Sequence, residues 1–140
     1  MKLWVIAEGK LRDPALRQLC DRYLSRLQRY VSATEVEVRD ARALERAIPD
    51  GARTVALEVD GEALSSSAFS ARLGTWLAER PLAFVIGGAE GLPAPLSESA
   101  ERRLSLSPMT LPHRLARVVL FEQLYRAMTI LRGEPYAREG

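Results

Sequence analysis

The stretch that most restricts how this chain can fold is an apolar pentapeptide followed at once by a glycine-rich turn. Residues 82–86 read LAFVI and offer no polar face, which is typical of a parallel strand covered by helices on both sides. The next five residues, GGAEG, contain three glycines. This combination predicts an α/β protein with a mostly parallel sheet and flanking helices, in which a tight turn follows a central strand.

The rest of the chain alternates between strand-like and helix-like patterns. Further strands are predicted at residues 2–7, 34–38, 54–59 and 104–106. Helical spacing of apolar residues, with Asp13 and Pro14 suited to begin the first helix, is found in residues 16–27, 41–48, 65–79 and 95–102. After a loop at 107–112, a long last helix carries apolar residues on two sides, which suits burial in the core and at a subunit interface. We expect one domain over residues 1–140.

Composition excludes several classes of protein. Hydrophobic residues make up 47% of the chain and charged residues 27%, as in ordinary globular proteins. Apolar runs reach about five residues where a membrane span needs about 20, and the apolar start ends too early for a signal peptide. We therefore expect a cytoplasmic protein with no membrane anchor. One cysteine and one histidine are too few for an internal disulfide or a zinc site, so no metal site is predicted.

Positive charge is concentrated in the last third of the chain. The formal net charge is +2, but residues 102–140 carry seven arginines against three glutamates. Of the 20 basic residues, 18 are arginine, whose planar fork suits phosphate and base edges. A genome rich in arginine codons explains this bias equally well. The charge is compatible with an RNA partner and does not by itself establish one.

Two loops are candidates for binding a ligand. Residues 87–91 follow the central strand, where open α/β sheets bind ligands, although they match neither a dinucleotide nor a phosphate-loop motif and also suit a plain glycine turn. Residues 106–113 are apolar, contain Pro108 and Pro112, and suit a flat apolar ligand such as adenine. The alternative for this second loop is a helix entry with Thr110 as N-cap and Pro112 in the first turn.

Single residues allow a functional and a structural interpretation. His113 could act as a general base, but a lone histidine in the first turn of a helix is more often a structural hydrogen-bonding group. Arg114 and Arg117 are one turn apart and could together contact a phosphate, or they could, with Arg126, form a solvated face.

In the tail, Tyr136 and Arg138 are suited to stacking on a base, although the segment taken alone suggests a frayed end. Trp4, Trp76 and Cys20 are expected in the core.

Three motifs in order resemble one family. VIGGAEGL at 85–92, LSLSPMTLPH at 104–113 and RVVLFEQLYRA at 117–127 together resemble the ribosomal RNA large subunit methyltransferase H family of small SPOUT-class enzymes. The start (MKL, then AEGK at 7–10) and the end (RGEPY at 132–136) also match, so the resemblance covers essentially the whole chain. It implies methylation of N3 of a pseudouridine in 23S ribosomal RNA with S-adenosyl-L-methionine, on the assembled ribosome.

The resemblance also implies a fold, an assembly and a cofactor site. The fold would be a SPOUT-type α/β knot with a C-terminal trefoil knot, a rare topology that no sequence pattern predicts. The protein would be a homodimer with its active sites at the subunit interface. Glycines would let the backbone approach the cofactor and an apolar loop would hold its adenine. The cofactor-binding residues would be Leu57, Gly87, Gly88, Leu106, Ser107, Pro108, Met109, Thr110 and Leu111.

The catalytic candidates are drawn from the last helix and the tail. Positioning supplies much of the rate of a methyl transfer, and the proton on N3 must leave. The residues suited to help are His113, Arg117, Tyr136 and Arg138. The family's tail usually reads Pro-Tyr-His followed by a basic residue, whereas Ala137 stands at the histidine position here. This departure supports an alternative, a catalytically inactive ribosome-binding or assembly protein, and a third reading is a SPOUT-class enzyme acting on transfer RNA.

Overall fold

A computed structural model describes residues 1–139. In chain order the elements are β1 (Lys2–Glu8), α1 (Pro14–Leu27), β2 (Ser32–Val38), α2 (Ala41–Ala47), β3 (Arg53–Ala63), α3 (Ser66–Glu79), β4 (Leu82–Ile86), α4 (Ala94–Ser99), β5 (Arg102–Ser105), α5 (His113–Leu131) and α6 (Tyr136–Glu139). No helix within the described residues is long and apolar enough to cross a membrane.

The five strands form one parallel sheet in the order β2-β1-β4-β3-β5, which confirms the predicted fold class. All five residues of the central strand β4 are buried. Phe84 belongs to the apolar cluster on one face of the sheet, and Ala83 and Val85 belong to the cluster on the other. Because both faces are covered, β4 lacks the polar alternation of a half-exposed strand.

Side-chain caps begin three of the described helices, among them α1 and α3. The Asp13 carboxylate accepts hydrogen bonds from the backbone N–H groups of Ala15 and Leu16 at the start of α1, as predicted. Ser65 caps α3 in the same way. The last long helix, α5, packs against α1 and α3, while its Leu115 and Leu131 stay exposed.

The end of the chain departs from sequence-based expectation in three places. The predicted fourth helix ends at Ser99 rather than residue 102, and β5 begins at Arg102 rather than residue 104. Thr110 does not cap α5, which begins at His113 with Pro112 as cap residue and no side-chain cap bond. The reason is that Leu111 precedes a proline, which disfavours helical backbone there. The tail forms a short helix, so the expectation of a frayed end is wrong.

Candidate functional site

A cavity of about 420 Å³ opens where β4 ends, beneath the loop from β5 to α5. This apolar cavity is lined by β3 residues 57–59, the turn after β4 and residues 106, 107 and 109–113. β3 contributes here because it pairs with β4 only as far as Ala56, and its pairing with β5 slips between Leu57 and Glu62. The volume of the apolar cavity is in the range of roughly 300–1,000 Å³ found for small-molecule sites.

Residues far apart in the sequence meet in the apolar cavity. Of the nine predicted cofactor-binding residues, Pro108 is outside the lining. The eight within it are Leu57, Gly87, Gly88, Leu106, Ser107, Met109, Thr110 and Leu111. The predicted list of cofactor-binding residues omits further wall residues, including Glu58, Val59, Ala89 and Leu92. Their positions at the carboxyl ends of predicted strands were a usable signal, because ligands bind at that edge of a parallel sheet.

Close contacts within the chain surround the two glycines after β4. A Cβ at Gly87 would lie 2.3 Å from the carbonyl carbon of Gly91 and 2.6 Å from the nitrogen of Leu92. A Cβ at Gly88 would lie 2.8 Å from Oε2 of Glu8. The Gly91 N–H donates to the Gly88 carbonyl at 2.9 Å and closes the turn. Gly87 therefore needs to be glycine for the turn itself, whatever ligand the cavity holds, whereas a Cβ at Gly88 would meet only the end of the flexible Glu8 side chain.

The loop from β5 to α5 is held by its own serines. The Ser105 hydroxyl donates to the Ser107 carbonyl at 2.9 Å, and the Ser107 hydroxyl accepts from the Met109 N–H at 3.0 Å. Met109 is 76% exposed at the wall of the apolar cavity. An exposed, polarizable side chain beside a cavity is available to an apolar ligand.

A second cleft, of about 620 Å³, lies on the other side of His113, which lines both spaces. We call it the basic cleft. It follows the carboxyl ends of β1 and β2 and the first turn of α5. Its walls are Glu8, Gly9, Lys10, Arg12, Glu37, Val38, Arg39, His113, Arg114 and Arg117.

Arg117 is buried in a network of ion pairs, with 2% of its surface exposed. Its Nη1 donates to Glu35 at 3.0 Å and to Glu37, and its Nη2 donates to the Gly9 carbonyl at 2.9 Å. Arg17 pairs with the same two carboxylates. Burial acts to raise the pKa of Glu37, but hydrogen bonds from the Leu11 N–H and Arg117 outweigh it, so the pKa is lowered.

The two arginines predicted to act together are thus placed differently. Arg114 is exposed, whereas Arg117 is committed to carboxylates inside the protein. The expectation of a solvated arginine face is wrong for Arg117, because its partners on β2 are 80 or more positions away in sequence and no local pattern indicates them.

The tail lies against the second half of α5. The Tyr136 ring is 4.6 Å from that of Tyr125 between centroids, and its hydroxyl donates to Oε2 of Glu122 at 2.7 Å. Arg126 pairs with Glu122 and lies 5.0 Å from the Tyr136 ring. Burial and the bond to Glu122 raise the pKa of Tyr136 above its ordinary value. Within the described residues, neither Tyr136 nor Arg138 lines either space around His113.

Metal-ligating side chains are not clustered in residues 1–139: no group of three or more His, Cys, Asp or Glu residues there could hold an ion. Cys20 is fully buried and Trp76 is 4% exposed, which confirms their expected core positions, while Trp4 is half-buried.

Comparison of the sequence with known proteins gives consistent full-length matches. A family model described as "Predicted SPOUT methyltransferase" matches residues 1–137. A protein from Sorangium cellulosum named "Ribosomal RNA large subunit methyltransferase H" is 51% identical, over 98% of this chain and 99% of its own length. A protein of the same name from Rhodospirillum centenum is 42% identical, over 99% of both chains.

Solved structures share the fold at low sequence identity. A probable methylase family protein from Haemophilus influenzae has a TM-score of 0.64 at 9% identity, covering 96% of this chain and 69% of that one. An AdoMet-bound rRNA methyltransferase from Sinorhizobium meliloti has a TM-score of 0.55 at 14% identity, covering 93% and 57%. With the full-length sequence matches, these likenesses lead to one assignment: the chain belongs to the SPOUT methyltransferase family and, within it, to the ribosomal RNA large subunit methyltransferase H proteins.

Proposed function

We propose that this protein transfers the methyl group of S-adenosyl-L-methionine to N3 of a pseudouridine in 23S ribosomal RNA, acting as a cytoplasmic homodimer on the assembled ribosome. The observation that carries the proposal is the apolar cavity, in which residues 57, 87–88, 106–107 and 109–111 meet. The relatives' names support ribosomal RNA of the large subunit as substrate. The choice of base and of the assembled ribosome follows from the family resemblance.

The lining of the apolar cavity fits this cofactor. Leu106, Met109 and Leu111 offer apolar surface for an adenine ring. Within residues 1–139, the backbone N–H groups of Thr110 and Leu111 make no hydrogen bond and are free to meet the edge of the ring. Glu58 also lines the cavity, with its side chain 24% exposed, and a carboxylate accepts hydrogen bonds from ribose hydroxyls.

We assign to His113 the role of taking the proton that N3 must lose. Bound S-adenosyl-L-methionine would supply a methyl group activated by a sulfonium. The His113 imidazole would accept the N3 proton, which leaves an electron pair on N3 to take the methyl group. Of the four catalytic candidates, His113 alone lines both the apolar cavity and the basic cleft within the described chain. Arg117, one turn further along α5, forms part of the wall of the basic cleft.

The tail would act from the second subunit. Tyr136 docks at Glu122, nine residues along α5 from His113, which is about 14 Å of helix at 1.5 Å per residue. The tail of a chain is therefore held away from that chain's own apolar cavity. In the proposed homodimer, Tyr136 and Arg138 would reach the apolar cavity of the partner subunit.

The direct experiment follows labelled methyl from S-adenosyl-L-methionine into ribosomes that lack the modification. Assembled ribosomes, free large subunits and bulk transfer RNA are tested in parallel, and the labelled base is mapped. We expect label at N3 of one 23S pseudouridine, with assembled ribosomes the best substrate. Label in transfer RNA would contradict this substrate. No label on any RNA with cofactor binding intact would favour the inactive ribosome-binding protein, for which Ala137 is the specific observation.

The role of the tail is tested by mixing two subunits that each carry one defect. Arg138→Ala is expected to lower single-turnover methylation, and Thr110→Trp is expected to block the apolar cavity. If the tail acts on the partner, refolding the two variants together restores activity, because a mixed dimer contains one site with an intact cavity and an intact tail. Full activity of both Tyr136→Phe and Arg138→Ala would show that the tail has no catalytic role.

A further inference from the structure

We propose that the basic cleft binds the phosphate groups of the substrate RNA and thereby places the target nucleotide beside His113. This inference rests on the proposed function and adds the site by which RNA is held. The relevant cations are Lys10, Arg12, Arg39 and Arg114. Three sequence segments supply them, namely the β1–α1 loop, the residue after β2 and the first turn of α5.

The position of the basic cleft suits a substrate site. It adjoins the apolar cavity, and His113 forms part of both walls. A nucleotide whose base lay beside His113, where the two spaces meet, would have its backbone phosphates in the basic cleft. In an RNA strand, each nucleoside is linked to one phosphate on its 5′ side and one on its 3′ side. A base bound at His113 therefore brings two phosphates close to the site.

The cations of the basic cleft are free to bind an anion. Lys10, Arg12 and Arg114 are exposed and form no ion pair with any described residue. Arg39 is 90% exposed in its side chain and only approaches Asp40, at 3.8 Å. By contrast, five exposed or part-exposed arginines outside the basic cleft pair with carboxylates, namely Arg53, Arg72, Arg80, Arg103 and Arg126.

The acidic residues of the basic cleft do not cancel this charge. Glu37 is hydrogen-bonded to Arg117 and the Leu11 N–H, and paired with Arg17, so its charge is already matched. Glu8 lies against the turn at Gly88. One unmatched carboxylate against four exposed cations leaves a positive field in the basic cleft.

The start of α5 adds to this field. The helix has 19 residues, no acidic residue in its first turn and no side-chain bond at its cap residue, Pro112. Its first backbone N–H groups, from His113 onward, therefore keep their capacity to bind an anion. The positive end of the helix dipole lies where the two spaces meet.

An anion in the basic cleft could come from two sources, an RNA phosphate or the carboxylate of the cofactor's methionine moiety. A single carboxylate neutralises one cation, whereas the basic cleft presents four in about 620 Å³. A polyanion is the ligand that uses all of them. We therefore assign the basic cleft to RNA and measure cofactor binding separately.

The test compares two double variants that each remove two unpaired, exposed cations. Lys10→Ala with Arg12→Ala alters the basic cleft, and Lys2→Ala with Arg46→Ala alters the opposite edge of the sheet. Binding of a fluorescein-labelled RNA hairpin is measured by anisotropy over a range of KCl concentrations. Calorimetry measures the affinity for S-adenosyl-L-methionine in each protein.

We expect the cleft variant to bind RNA roughly tenfold more weakly at ~0.15 M salt, with a salt slope smaller by about 1–2. The control variant and both cofactor affinities should match the unaltered protein. Equal RNA binding by all three proteins, or equal loss in the two variants, would overturn the inference. So would loss of cofactor affinity with RNA binding kept, which would assign the basic cleft to the methionine carboxylate. Methylation assays report separately on the proposed function.

Discussion

The apolar cavity and the basic cleft, which meet at His113, are lined by different kinds of groups. The apolar cavity is shaped by backbone, namely the turn at Gly87 and the loop before α5. The basic cleft is lined by charged side chains, and part of its wall is the buried network in which Arg117 pairs with Glu35 and Glu37. This difference predicts which changes should impair ligand binding in each of the two spaces. One added methyl group should disturb the apolar cavity and changes of salt should not, whereas the basic cleft should respond to charge and pH.

The largest effect is expected from Gly87→Ala. The new Cβ would lie 2.3–2.6 Å from backbone atoms of Gly91 and Leu92, so the turn must move. Because this turn forms a wall of the apolar cavity, we expect the affinity for S-adenosyl-L-methionine to fall on the order of 100-fold, about 2.7 kcal/mol. Calorimetric titration measures it, and high salt should not restore binding.

Gly74→Ala is the matched control. Gly74 lies inside α3, and a Cβ there would meet only the end of the Leu131 side chain, at 3.2 Å. Alanine favours a helix over glycine by about 1 kcal/mol, which offsets this contact. Cofactor affinity should be unchanged. If the two variants lost affinity equally, the close backbone contact at Gly87 would not be what shapes the apolar cavity.

The next effect concerns the network beneath the basic cleft. Arg117→Met leaves Glu35 and Glu37 with Arg17 as their remaining cation. Breaking a buried ion pair costs about 3–5 kcal/mol, and we expect about 2 kcal/mol here because Arg17 stays and the Glu37 side chain is partly exposed. Urea unfolding followed by circular dichroism measures the loss. Arg114→Met, one turn away and exposed, should change the free energy of unfolding by less than about 0.5 kcal/mol.

The smallest effect is a pH dependence of stability from Glu37. Its pKa is lowered in the folded protein from an ordinary value of 4.5. The ionised side chain therefore stabilises the fold at neutral pH, and this contribution is lost as pH falls below 4.5 and through the lowered pKa. Glu37→Gln should flatten the acid limb of a plot of unfolding free energy against pH.

Glu62 separates this effect from surface electrostatics. The pKa of Glu62 is also lowered, by its hydrogen bond to Arg72, but that pair is on the surface. In ~1 M KCl, where the screening length is about 3 Å, the effect of Glu62→Gln should disappear and that of Glu37→Gln should persist. Equal screening of both would show that the network at Arg117 is open to solvent.

Much of the fold was predictable because its signals are local. The uninterrupted apolar run of β4 follows from burial on both faces, and Asp13 caps α1 through atoms two and three residues away. The start of α5 at His113 follows directly on the predicted loop at 107–112, whereas the alternative with Thr110 as N-cap is wrong, because Leu111 precedes a proline and is disfavoured in helical backbone. The trefoil knot and the homodimer stay predictions.

By itself, the sequence determined the parallel α/β fold, the family and the two loops that line the apolar cavity, since motif order and periodicity are properties of neighbouring residues. Only the tertiary structure decided which charges remain free. Arg114 and Arg117 look alike in sequence, yet Arg117 meets Glu35 and Glu37 on β2 and Arg114 does not. Ion pairing depends on which distant carboxylates the fold brings within a few ångströms, and spacing along one helix carries no such information.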